Sequence, residues 1–249
     1  MPLPSSVVRK LGYAKFQLNN LDTEIERYLD GPVDTLQGET GADSDFKLIV
    51  VPGDEVPPII RLRCGDVLQN LRSTLDYLVW ELVLAAKDKP AKKQAFPICD
   101  SSHTTFKKTA KSKLEGVPAA AIEIIEQMQP YHFPQGERDR SLVLMLDELT
   151  NINKHRSILL ARKRAVPTEL IAIKDKAGNL LAFDARKATD DKTSMELIAK
   201  AMKMGIDTEI AIFVQFDEGL ARGHEVVSLL ATLIIEVKII LKRFEQFFM

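Results

Sequence analysis

Apolar residues recur at alternating steps of four and three from Val7 through Leu11, Ala14, Leu18, Leu21 and Ile25 to Tyr28, a stripe that only a long helix lying on a neighbour can bury. Leu68, Leu71, Leu75, Leu78 and Leu82 repeat the pattern. So do Leu142, Met145, Leu146, Leu149, Ile152 and Leu160, and then Val226, Leu230, Leu233, Val237, Ile240, Phe244 and Phe247. These stripes predict long helices that cover one another. Breakers set the boundaries: Gly31-Pro32 ends the first helix, and the second runs from Pro57-Pro58 to about Lys87, ahead of Asp88-Lys-Pro90. A short helix starts at Pro118, where proline suits a first turn, and ends before Pro130; the next long one spans about Arg140 to Arg164.

Period-two stretches are fewer. Phe46–Val51 reads as one short strand after a polar loop around Gln37 to Ser44, and Ala91–Gly116 reads as a surface excursion pinned by Phe96-Pro97 and Phe106. Beyond Pro167, Glu169–Ile173 and Leu180–Phe183 flank Ala177-Gly178-Asn179 as a hairpin; Met195–Met202 fits strand or helix, and Glu209–Phe216 is a strand. The strand block (about 165–217) interrupts a helical part (about 4–164 and 220–249), and the last helix needs partners from before the interruption. The expectation is one α+β domain spanning 1–249. It is a bundle of about four long helices with a small antiparallel β-sheet at one end or side, the C-terminal helix returning to the bundle.

Charge narrows the function classes. Lysines and arginines nearly cancel the carboxylates, leaving a formal net charge of −1, so no global field draws in nucleic acid or anionic membrane. The N-terminus lacks an apolar run after its basic residues, and the most apolar stretch, Val226–Leu241, carries Glu236 and Lys238 and is short for a bilayer. With two cysteines, Cys64 and Cys99, in no framework, this predicts a cytoplasmic chain with reduced thiols and no membrane partner. His103, His132, His155 and His224 show no metal-ligand spacing, and no phosphate-binding glycine loop or nucleophile elbow occurs, so neither metal nor cofactor is expected. Cys99 has nothing nearby to activate it, and Lys107, Lys108, Lys111 and Lys113 read as a solvated loop.

Two helical stretches carry polar groups where apolar ones would be ordinary. On the second helix Asp66, Asn70, Ser73 and Tyr77 form a polar but nearly uncharged face, with Arg72 and Asp76 flanking the leucine stripe. In the helix of Asn153-Lys-His-Arg156, Asn153 and Arg156 share the inward face, while Lys154 and His155 project away. A buried guanidinium needs a carboxylate, so Arg156 is expected to meet Asp66 or Asp76. Two readings stay open: a buried network that fixes helix register, or a polar pocket. In the pocket, Arg72, Arg156 and Asn153 would grip the phosphate or carboxylate of an anionic small molecule or RNA, and His155 would shuttle protons.

The blocks Gly65-Asp66 to Leu75-Asp76 (with Asn70-Leu-Arg-Ser73), Phe96-Pro97-Ile98, Gln129-Pro130-Tyr131 and Asn153-Lys-His-Arg156 resemble, in that order, a family of uncharacterised bacterial proteins. The resemblance covers roughly residues 1–165 and implies a bacterial cytoplasmic protein without implying an activity. Gln69 and Tyr77 stand where the family pattern has histidines, and Asn153 where it has aspartate. An arginine followed by a histidine on a bundle helix is also similar to the HEPN ribonucleases, but Arg72 is followed by Tyr77, a poor base at neutral pH. Three functions follow as expectations. The first is a binding or interaction module with Asp66, Asn70, Arg72, Asp76, Asn153 and Arg156 in one polar network. The second is a metal-independent ribonuclease or nucleotide-handling enzyme with His155 as acid-base group and Tyr77 orienting substrate. The third is a structural or homo-oligomeric protein in which Phe244, Phe247, Phe248 and Met249 could cover a neighbour.

Overall fold

The computed structural model describes residues 3–31, 35–40, 46–51, 55–134, 136–155, 161–167, 170–174, 180–184 and 210–248, and for the strands before residue 213 the backbone alone. Its contacts divide into two compact units. One comprises Met1–Glu24, Pro58–Leu160 and Phe216–Met249; the other comprises Ile25–Pro57 and Ala161–Gln215. The described residues form six α-helices: α1 (Ser5–Leu29), α2 (Pro58–Ala85), α3 (His103–Lys113), α4 (Ala119–Gln127), α5 (Leu142–His155) and α6 (Val226–Lys242). The strands are β1 (Thr35–Thr40), β2 (Phe46–Val51), β3 (Ala161–Pro167), β4 (Leu170–Lys174), β5 (Leu180–Asp184) and β6 (Ile210–Phe216).

The first unit is a helical bundle with α2 at its centre. Leu68, Leu71, Leu75, Leu78 and Leu82 are each fully buried, and such burial contributes about 1.5–3 kcal/mol per side chain. Helix α2 packs on both α5 and α6, whose seam Val226, Leu230, Leu233, Val237, Ile240 and Phe244 is buried as its spacing requires. Helix α1 runs antiparallel to α2: Ser6 Oγ donates to Glu81 at one end, and Glu24 lies 3.5 Å from Arg63 at the other. Phe244 fills this unit's own core, while Met249 lies outside the described residues.

Several boundaries differ from expectation. The helix predicted over Arg140–Arg164 starts at Leu142, where the Ser141 hydroxyl accepts from the Leu144 N–H, and ends at His155; β3 begins at Ala161. The run Ile158–Ala161 fits either period, and short apolar runs do not declare one. The surface excursion expected over Ala91–Gly116 contains helix α3. Its Ser102 cap accepts from the Thr105 N–H, and Phe106, Ala110 and Leu114 at steps of four are buried beneath its lysines. The loop expected near Gln37 contains β1.

In the second unit β1 pairs antiparallel with β2 (Leu36 opposite Val50), and β4 with β5 (Ile171 opposite Phe183), while β3 neighbours β6. These are separate two-stranded ladders, so the single small antiparallel sheet expected from the sequence is not supported. The Ala177-Gly178-Asn179 turn and Met195–Met202 lie outside the described residues.

Gly65 gives the Asn153 side chain its place at the α2–α5 contact. A Cβ built there would come within 2.6 Å of Asn153 Oδ1 and 2.9 Å of its Cγ, so the glycine makes room for the asparagine side chain. Alanine gains helix propensity by about 1 kcal/mol over glycine in a helix interior. Gly65→Ala should therefore stabilise the Asn153→Ala protein but not the parent, with a coupling of about 1 kcal/mol in a urea-denaturation double-mutant cycle.

Candidate functional site: an arginine frame and two clefts

Arg72 is 7% exposed, and all three of its nitrogens are engaged inside the protein. Nη1 donates to Asp76 Oδ1 at 2.8 Å, Nη2 donates to the Phe96 carbonyl at 2.8 Å, and Nε lies 3.5 Å from Asp147 Oδ1 on α5. Asp76 Oδ1 also accepts from the Phe96 N–H at 2.9 Å, so the ion pair on α2 grips both backbone groups of one residue. The helical step from Arg72 to Asp76 places guanidinium and carboxylate on the same side of α2, which makes the double grip geometrically available. Phe96 itself is fully buried.

Gln129 continues the frame. Fully buried, it donates from Nε2 to the carbonyls of Pro97 (3.1 Å) and Ile125 (2.8 Å) and accepts at Oε1 from the Cys99 N–H at 2.9 Å. The extended Phe96–Cys99 segment thus has its backbone satisfied by side chains of α2 and of the turn after α4, as a buried irregular segment must. Three of the four blocks singled out in the sequence meet here. The fourth meets α2 at Asn153, beside Gly65.

The remaining expected site residues are dispersed. Asn70 is buried and donates to the Asp66 carbonyl at 2.7 Å, a local helix bond, while Asp66 is exposed. Arg156 lies outside the described residues, and with it the expected pairing with Asp66 or Asp76; Arg72 takes one oxygen of Asp76. The sequence reading missed Asp147 and Gln129. Gln129 could have been found as a glutamine fixed before the Pro130 turn, whereas Asp147 gives no signal apart from its place on α5.

His155 and Tyr77 face different concavities. His155 lines a cleft of about 500 Å³ with Asp147, Glu148, Asn151 and Glu218; in its wall Glu148 accepts from the Leu220 N–H at 2.7 Å. Tyr77 lines a second cleft, about 470 Å³, with Asp76, Trp80, Glu81 and Lys92. Three carboxylates line the first, Asp147 facing Arg72 and Glu148 accepting from the Leu220 N–H, so the cleft is acidic. Burial pushes both thiols up: Cys64 strongly, and Cys99 in spite of the Thr109 hydrogen bond and the nearby Lys113. Neither is a poised nucleophile. Among the described residues, no group of three or more His, Cys, Asp or Glu side chains could hold a metal, and no helix is long and apolar enough to cross a membrane. No protein-family model, curated protein or solved structure matches the chain.

A third polar cluster joins α3 to α4. Glu126 faces His103 Nδ1 and accepts from Tyr131 Oη at 3.0 Å, and the Tyr131 ring lies 4.3 Å from that of His132. Burial first, then the hydrogen bond to Glu126 and its charge, push the Tyr131 phenol up to about 12.

Breaking the frame leaves buried backbone groups unpaired and, for Arg72, two partly exposed carboxylates without their cation, so Arg72→Ala and Gln129→Ala should each destabilise by about 2 kcal/mol in urea melts. Arg72→Met, which keeps the packing, should cost less than alanine. Because Tyr131 holds its proton more tightly folded than unfolded, its contribution is full below about pH 10 and fades as pH rises towards 12. Denaturation measured across that window should show a decline that Tyr131→Phe makes shallower; equal slopes would refute the assignment.

Proposed function

We propose that the chain is a binding module whose Arg72 network is a frame and whose ligand sits in an accessible cleft. The observation that carries this reading is the full engagement of Arg72 by Asp76, Asp147 and the Phe96 carbonyl. A phosphate could reach it only by displacing a carboxylate and exposing the Phe96 backbone. The ribonuclease alternative loses support for the same reason, and further because His155 and Tyr77 line separate clefts, one of them acidic. General acid-base chemistry needs its groups within hydrogen-bond reach of one reacting centre.

A bacterial cytoplasmic setting and a HEPN-like ancestry belong to this reading. The two buried cysteines kept as free thiols support the first, and the α2-centred bundle carrying Arg72 supports the second. Native mass spectrometry of purified protein mixed with a metabolite extract tests the module. A small molecule retained by the parent protein is the expected result; retention of none sinks the reading. In parallel, the parent protein and His155→Ala should leave a mixed RNA pool intact to the same extent. Cleavage by the parent that the variant lacks would restore the enzyme.

A further inference from the structure

We propose that the cleft beside Trp80 binds a planar heteroaromatic ring carrying an anionic tail, a purine nucleoside monophosphate being the simplest such ligand. This rests on the binding-module reading and names its ligand class. Helix α2 is the buried centre of its unit, yet Tyr77 and Trp80, one turn apart on it, are 44% and 43% exposed beside the cleft. Large aromatic faces presented to a concavity by the exposed side of α2 form a stacking platform, and every nucleobase has a face to stack on it.

The polar groups of the cleft select among ring ligands. Asp76 uses Oδ1 for Arg72 and Phe96, and Glu81 uses Oε1 for Ser6; the second oxygen of each carboxylate has no partner among the described residues. Each can accept from the N–H groups on a purine edge. Lys92 in the lining is exposed and without a partner among the described residues, and its ammonium suits a phosphate; Lys10, outside the lining, stands over the Tyr77 ring 5.7 Å from its centre.

Charge balance excludes simpler occupants. A plain anion would meet the carboxylates of Asp76 and Glu81, and a plain cation would meet Lys92. A ligand with an aromatic body, N–H donors and a negative tail uses all of them. The cleft is also preorganised: Asp76 is held by the arginine frame, and Gln94 in its wall accepts from the Ala91 N–H at 2.9 Å and donates to the Glu115 carbonyl at 2.5 Å. Its volume of about 470 Å³ lies within the range of small-molecule sites.

Trp80 is the chain's single tryptophan, so selectively excited fluorescence reports on this cleft alone. Titration with adenosine and guanosine monophosphates, corrected for inner-filter absorption, should give saturable quenching at sub-millimolar concentration for at least one of them. Lys92→Ala should weaken that nucleotide about tenfold and leave its nucleoside unchanged; Glu81→Gln should weaken both. Calorimetry with Trp80→Ala, its fold checked by circular dichroism, should show binding abolished. Absence of saturation, or binding that Lys92→Ala and Glu81→Gln leave untouched, overturns the proposal. If mass spectrometry retains another metabolite while nucleotides fail, the module survives and the nucleotide does not.

Discussion

The architecture of the helical unit depends on one guanidinium. Arg72 sits inside a bundle whose core is mostly apolar, and hydrophobic contacts alone do not specify how far one helix slides on another. Its three engaged nitrogens tie together α2, α5 and the Phe96–Cys99 segment, each at a defined atom. The desolvation cost of such a charge is several kcal/mol, and two carboxylates with a backbone carbonyl offset it. Most of the stability in this unit comes from the leucine stripe; the arginine adds contacts that hold only in one arrangement of α2, α5 and the segment.

That division explains why a segment without regular structure can lie in the core. Phe96 to Cys99 leaves its backbone polar groups to side chains, and Asp76, Arg72 and Gln129 between them satisfy the Phe96 N–H and carbonyl, the Pro97 carbonyl and the Cys99 N–H. Each would otherwise cost about 1–3 kcal/mol as a buried orphan. Gly65 does the same service for α5 by steric means, admitting the Asn153 side chain where any Cβ would collide.

The long helices were legible because their apolar period repeats over 14 to 28 residues, and the central place of α2 followed from its leucines. Helix α3 was not, because Lys107, Lys108, Lys111 and Lys113 dominate its composition, whereas only Phe106 and Ala110 anchor it. The pairing β1–β2 was half legible: Phe46–Val51 declares itself, but Thr35–Thr40 becomes a strand by virtue of its partner. At the site, the sequence marked Arg72 and Asp76 as unusual and Asn153 as inward. It could not reveal that Arg72 satisfies Asp76 within its own helix, since choosing among carboxylates requires knowing which backbone lies alongside.

Asp76 belongs to both halves of this account. One of its oxygens is committed to Arg72 and Phe96, and the same carboxylate lines the cleft of Tyr77 and Trp80. A side chain held by two strong partners loses little further freedom when a third arrives, so a wall built from the frame binds with less ordering cost than one built from free surface residues. A charged cluster sealed within a core would do nothing beyond fixing register. Here the frame reaches the surface at both carboxylates, Asp147 in the cleft of His155 and Asp76 beside two exposed aromatic rings, and the second is the place where its rigidity can serve recognition of a ring.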